Sequence, residues 1–410
     1  MKKIAVIGGG ASGMMAAIAA HDKSSKVTLF EANDRVGKKL LVTGNGKCNF
    51  TNEVLDKDCY NGSDKKFIMN VIKRFDSEKL VVFFCSLGMF STIKRGGYYP
   101  YSGQASTVLD CLRNELAYIG VNVLTDSPVK AVKKADKGFV VEANIGGKKK
   151  NFEFDKVIIA IGSVAGTKTK NSEEHYRLFK GLNLPMAPVV PALVQLRCTD
   201  GILKALSGVR FDGTITLFSD GKKIAKESGE IQLTDYGVSG IPTFQLSRIA
   251  AYELLKGSKV EVSLDFLPDM PKDELKQLIE YRSVRNTLQS AEEYFLGITN
   301  KKVMLQVMKL AGIKAASEAC LINKQAKDKV ADLLKGLRLT VEDTNGFEAA
   351  QVCAGGVMLS ELDENLMVKD IPGLYIVGES LDVDGRCGGY NLQWAFSSGR
   401  LAGLSASGKR

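Results

Sequence analysis

Apolar residues near the N-terminus fall in short β-branched blocks separated by glycines. Residues 3–7 form one such block, ending at Gly8-Gly9-Gly10, as a strand buried inside a parallel sheet would. Residues 11–20 are rich in alanine and methionine and predict a tightly packed helix, and residues 26–31 a second strand. The spacing predicts helices over 65–75, 77–87 and 106–119, with Gly88 and Gly120 as stops for the last two, followed by a strand at 121–124. From Val129 the pattern alternates in blocks 130–133, 139–144 and 151–154 around Gly146-Gly147, and residues 157–161 are continuously apolar. This predicts a small β-meander that returns to the main sheet.

Pro185, Pro188 and Pro191 punctuate the chain at the best candidate boundary. Between residues 192 and 267 the predicted strands are short and turn-separated, as at 215–218 and 260–266, which suggests a β-rich insert. Pro271 opens a helical stretch that continues, with breaks, to about residue 334. After 337–341 come glycine-rich loops, an apolar strand at 374–377 and a helix from about Asn391. The fold class expected is α/β: a Rossmann-like domain (1–190 and 341–410) interrupted by a β-rich insert (191–270 and about 335–340) and a helical subdomain (271–334).

Composition narrows the function classes. A chain of 410 residues at roughly 150 per domain has room for two or three domains. With 45% hydrophobic and 25% charged residues, it is neither mostly disordered nor a multi-span membrane protein. The 41 glycines against nine prolines suggest close backbone approaches rather than linkers. The net charge of +10 is spread thinly. Its densest run, Lys148-Lys149-Lys150, sits in an apparent hairpin without interleaved aromatics, so no nucleic-acid partner is expected. Eight scattered cysteines and only two histidines, His21 and His175, leave no metal site of ordinary spacing. Scattered cysteines with no C-x-x-C pair and the lack of a long apolar run predict a cytoplasmic protein without a membrane span. Both histidines are expected in solvated structural positions.

The chemistry begins at Gly8-Gly9-Gly10-Ala11-Ser12-Gly13, a G-x-G-x-x-G between a predicted strand and a predicted helix. Gly8 permits the tight turn, Gly10 lets a diphosphate approach the backbone, and Gly13 allows close helix–strand packing, with Ala11 and Ser12 at the helix start. Glu31 ends the second strand, where its carboxylate could accept both ribose hydroxyls. Ala160 and Gly162 close a strand in small residues, as where a chain passes a bound dinucleotide, and Val129 opens the meander beside it. The return of an apolar strand ending at Gly378-Glu379, followed by Gly389-Tyr390-Asn391-Leu392 and a helix, favours FAD over NAD as the resident dinucleotide. Glu379 is expected at the ribityl chain and the last helix at the pyrimidine ring.

Residues 35–52, RVGKKLLVTGNGKCNFTN, resemble the hallmark of the YhiN/BaiN-like flavoproteins. So do Tyr99-Pro100 with Ala105, Gly237-Val238-Ser239-Gly240, Ala354-Gly355-Gly356-Val357 and residues 388–394. The resemblance spans essentially the whole chain. It implies an FAD domain of glutathione-reductase type, a β-barrel-like insert and a helical subdomain, with Lys38, Gly44, Asn45, Gly46 and Cys48 lining the FAD. For Cys48 and Cys387 packing is the expected role. Where the family usually carries Thr-His before Tyr-Gly, this chain has Thr234-Asp235-Tyr236-Gly237. A catalytic histidine there is therefore missing, and Tyr99, Tyr236 and Tyr390 are the candidate proton donors. No second G-x-G-x-x-G follows a strand, so NADH or NADPH would visit transiently. The resemblance implies NAD(P)H-driven reduction of an activated C=C bond in a small apolar substrate, such as an unsaturated 3-oxo bile acid. An aminoacetone-type amine oxidase and an RNA-associated flavoprotein are the alternatives, and the oligomeric state is left open.

Overall fold

The structure is a computed structural model, and residues 1–167, 172–285 and 289–409 are described. The chain forms two compact units, Met1–Val190 with Gln351–Arg410, and Pro191–Ala350. The first is built on a five-stranded parallel sheet in the order Leu374–Ile376, Lys156–Ile159, Lys2–Ile7, Ser25–Phe30, Asn122–Leu124. Ile4, Ala5, Val6 and Ile7 of the central strand are all buried, as the unbroken apolar block requires.

Helix Ala11–Ala20 packs against the C-terminal helix Tyr390–Ser407 through small residues. A Cβ on Gly399 would lie 2.3 Å from the Ser12 carbonyl oxygen, and one on Gly403 2.4 Å from that of Ala16. The two backbones touch because neither position carries a side chain. The meander is present as Val129–Lys134, Phe139–Ile145 and Lys148–Phe154. Gly146 and Gly147, at φ 58° and 77°, form its tight turn. The proline-marked stretch is itself a strand, Met186–Ala192, paired with Val352–Val357 in a two-stranded sheet whose open edge tolerates residues without an N–H donor.

The second unit is a closed six-stranded barrel, in order Leu196–Cys198, Gly237–Ser239, Lys222–Leu233, Arg210–Ser219, Val260–Asp265 and Leu337–Thr344. Short strands were expected here. Instead Arg210–Ser219 and Lys222–Leu233 pair as a long hairpin turning at Asp220 and Gly221, both with positive φ. Most of Lys222–Leu233 is exposed or half-buried, so its charged sequence lacks the apolar alternation that marks a strand with one buried face. Helix Ile241–Leu255 was also not anticipated. It starts after Gly240, at φ 106°, with a proline in its first turn. The last barrel strand runs to Thr344 and closes the sheet between Val260–Asp265 and Leu196–Cys198. The return to the first unit therefore comes at Gln351 rather than 341. Helices Lys272–Arg285, Lys301–Leu310 and Lys324–Gly336 share one continuous core with the barrel, in which Leu275, Val307 and Leu334 join Val262 and Leu264. Among the described residues no helix is long and apolar enough to cross a membrane.

Candidate functional site

At the carboxyl ends of the parallel strands the first unit holds a cavity of about 630 Å³, the location where open α/β sheets bind ligands. Each glycine of the first turn has a separate geometric reason. Gly8, at φ 106°, brings the chain so close that a Cβ would sit 2.3 Å from the Ala160 carbonyl oxygen. A Cβ on Gly13 would lie 1.8 Å from the Gly8 carbonyl oxygen, so Gly13 seals helix against strand. A Cβ on Gly10 would meet nothing within 4 Å. Gly10 lines the cavity with Gly8, Ala11 and Ser12, at the start of a helix that has no side-chain cap. The unpartnered amides of a first helical turn and the helix dipole make this an anion site.

Glu31 is buried at the cavity wall. Its Oε2 accepts from the Gly9 N–H at 2.8 Å, and its Oε1 accepts from the Asn33 backbone N–H at 2.8 Å and from Asn33 Nδ2 at 2.6 Å. A carboxylate offers about four acceptor positions, so room remains for one ribose hydroxyl rather than the two expected. The lysines of the next segment are also engaged. Lys38 pairs with Asp34 at 2.5 Å and Lys39 with Glu379 at 2.8 Å, while Glu379 accepts from the Cys353 N–H at 2.9 Å. Lys38, Val129, Ala160, Gly162, Glu379, Asn391 and Leu392 all reach the cavity wall.

Other expected contacts lie off that wall. Gly44, Asn45 and Gly46 take successive left-handed conformations, at φ 56°, 53° and 79°, which glycine and asparagine adopt most readily. Thr43, just before them, lines the cavity. Cys48 is fully buried at φ 55°, with its thiol pushed up to about 11 by burial. It is packed, and it is not among the residues of the cavity wall. Iodoacetamide at pH 8 should label the exposed Cys85 and Cys320 and leave Cys48 and Cys353 unmodified until the protein unfolds, read by peptide mass spectrometry. Early labelling of Cys48 would contradict its burial. Gly378 is turned toward the first helix, where a Cβ would meet Ser12 Oγ at 2.5 Å, and its N–H donates to Ser398 Oγ at 3.0 Å. Gly389, at φ 93°, caps the C-terminal helix against the Thr51 carbonyl oxygen.

None of the three candidate tyrosines lines this cavity. Tyr99 donates its hydroxyl to the Asn49 side chain at 3.3 Å, with the Asn49 amide nitrogen turned to the Tyr98 and Thr51 carbonyls. Tyr390 sits edge-on to Tyr60 at 5.8 Å, and burial raises its hydroxyl above the usual phenol range. Tyr236 belongs to the second unit, with the Arg197 guanidinium over its ring at 5.6 Å. Sequence reasoning also missed Asn33, Ser163, His175 and Arg177, all on the cavity wall. His175, expected in solvent, donates from Nε2 to the Gly162 carbonyl oxygen at 3.3 Å, and burial holds its basicity below that of free histidine. No spacing signal links residue 175 to residue 162; only the fold brings them together. Among the described residues no cluster could hold a metal ion.

The comparisons with known proteins extend over the whole molecule. The 3-dehydro-bile acid delta(4,6)-reductase of Clostridium scindens is 41% identical, with 99% of both chains covered. The ribosomal RNA dihydrouridine synthase of Haemophilus influenzae is 26% identical over 98% of both. The crystal structure of 3-ketosteroid-delta4-(5alpha)-dehydrogenase from Rhodococcus jostii RHA1 superposes with a TM-score of 0.51 at 15% identity, covering 99% of this chain and 97% of that one; this likeness is one of fold. The family model described as HI0933-like protein Rossmann domain matches residues 2–405, in agreement with the resemblance carried by residues 35–52, and the chain belongs to that family.

Proposed function

We propose that this chain is an FAD-dependent oxidoreductase that reduces an activated C=C bond of an unsaturated 3-oxo steroid, with NADH or NADPH as the transient electron donor. The observation that carries the reading is the 41% identity, over 99% of both chains, to a reductase named for such a substrate. The first unit's residues fit the dinucleotide. Open space outside Gly10 and the uncapped helix start suit a diphosphate, and the remaining Glu31 acceptor suits a ribose hydroxyl. Glu379, steadied by Lys39 and the Cys353 N–H, would accept from the ribityl hydroxyls. When bound, FAD supplies hydride transfer to carbon. Cys48, Cys59, Cys85, Cys111, Cys198, Cys320 and Cys353 are free thiols, which fits a reducing cytoplasmic compartment.

Glu31 carries a prediction that follows from its bonds. Glu31→Ala should lower the flavin retained after gel filtration, read from the absorbance ratio. It should also cost the apoprotein about 1–3 kcal/mol in urea, because the buried Gly9 N–H loses its acceptor. Full flavin content in the variant would place the ribose elsewhere.

A second reading rests on the dihydrouridine synthase relative. Dihydrouridine is the product of reducing a C=C bond conjugated to a carbonyl, so the bond chemistry is the same and only the bearer of the alkene differs. One experiment tests both. The yellow protein is mixed anaerobically with NADH or NADPH, and loss of the oxidised flavin band is followed, then its return on adding an enone steroid or a uridine-containing RNA. Fast bleaching reversed by the steroid is expected. Reversal by RNA alone would replace the substrate class, and no bleaching with either nucleotide would sink the reductase reading and direct the search to amines with oxygen as acceptor.

A further inference from the structure

The cavity wall is nearly neutral before any ligand arrives. Lys38 is paired with Asp34 at 2.5 Å, Lys39 with Glu379 at 2.8 Å and Arg177 with Glu174 at 3.3 Å. Glu31 adds a further negative charge to the same wall. A dinucleotide's diphosphate brings two negative charges, so helix amides and Arg35 face it with little spare positive charge. One side chain on this wall can gain a charge in the neutral range. His175 donates from Nε2 to the Gly162 carbonyl oxygen, so an added proton goes to Nδ1. Gly162 is held by Ser380, whose Oγ accepts from the Gly162 N–H at 3.1 Å and donates to its carbonyl at 3.3 Å. Ser380 lies two residues from Gly378, which packs against Ser12 in the first turn of the anion-binding helix. His175 and the first helical turn, Gly10, Ala11 and Ser12, line the same cavity, and this chain of contacts links the imidazole to that turn.

We propose that His175 is the proton-carrying counter-charge of the bound dinucleotide: neutral when the cavity is empty and protonated when the diphosphate fills it. The proposal rests on the FAD reading above and adds a residue and a linkage to it. Lys39 and Glu379 face the imidazole as an ion pair, and Glu174 and Arg177 flank it on its own segment. Tyr176 packs edge-on at 4.8 Å with its hydroxyl raised by burial, and the Cys353 thiol is pushed up to about 12. FAD itself has no group that titrates between pH 5.5 and 8.5.

The sign follows from linkage. A base that becomes stronger on binding makes binding tighter at low pH, and the gain is lost as pH rises through its bound-state value. A tenfold gain in the basicity of the imidazole on binding corresponds to about tenfold in affinity. The test dilutes the holoprotein in buffers from pH 5.5 to 8.5 and reads released FAD by the fluorescence of free flavin. Wild type should release FAD with a dissociation constant that rises about tenfold across this range. His175→Gln, which keeps a donor for the Gly162 carbonyl and cannot titrate, should give a flat profile at the wild-type high-pH value. A purely structural role would instead weaken retention at every pH and leave the slope in place. A flat wild-type profile, or a slope retained in His175→Gln, overturns the proposal while the FAD reading stands. Wild-type protein that holds no FAD at any pH overturns that reading itself.

Discussion

Gly10→Val is expected to empty the protein of flavin while leaving the apoprotein as stable as before. The backbone at Gly10 has φ −78° and ψ −170°, an extended conformation open to any residue. A Cβ there meets nothing within 4 Å, so the valine side chain projects into space that the folded chain does not use. That space adjoins the first turn of helix Ala11–Ala20, where a diphosphate would accept hydrogen bonds from backbone amides only at close range. Branched carbon in this position holds the phosphates away from the amides. The dissociation constant for FAD should rise at least a hundredfold, about 2.7 kcal/mol. The comparison needs apoprotein on both sides, because a bound ligand itself raises the melting temperature. An unchanged flavin content would show that the ligand does not use this helix start.

Gly13→Ala, three residues on, should have the opposite outcome: loss of the fold rather than of the ligand alone. Its Cβ would lie 1.8 Å from the Gly8 carbonyl oxygen and 3.2 Å from Ala160 Cβ. Gly8 cannot yield, since its own α-carbon is packed against the Ala160 carbonyl. The clash is therefore with the Gly8 main chain just after the first strand, with the Ala160 Cβ beside it and no flexible side chain to swing aside. The cost should reach about 3 kcal/mol or more. Against a urea dependence of about 2–3 kcal/mol per M, the unfolding midpoint should fall by about 1 M or more. A midpoint within experimental error of wild type would mean that the helix can move off the sheet. Together the two variants separate a glycine that makes room for a ligand from a glycine that makes room for the chain.

The site was legible in part. Gly8, Gly10 and Gly13 were assigned distinct roles from their spacing, and the close approaches at Gly8 and Gly13 and the open space outside Gly10 are each distinct in the fold. Glu31 was placed correctly at the end of the second strand, on the cavity wall. Its bonding was not legible, because Asn33 turns back onto the carboxylate only once the loop is folded. The run Gly44-Asn45-Gly46 was read as a ligand loop, and its three residues form an exposed left-handed turn. A glycine-rich stretch signals unusual backbone geometry and does not say whether that geometry faces a ligand or the protein. His175 had no signal at all.

What the sequence determined by itself is the local framework of the first unit: strand, glycine turn, helix, second strand and acid. Each of those steps is set by nearest-neighbour sterics and by a period of two or 3.6 residues, both of which can be read from contiguous letters. The tertiary structure alone decided which charges are already spent, as in Lys39 with Glu379 across 340 positions. It also decided that His175 meets Gly162, and that a mostly exposed, lysine-rich stretch becomes a long barrel strand. Such contacts leave no periodic trace, because they are fixed by where distant elements converge rather than by the residues beside them.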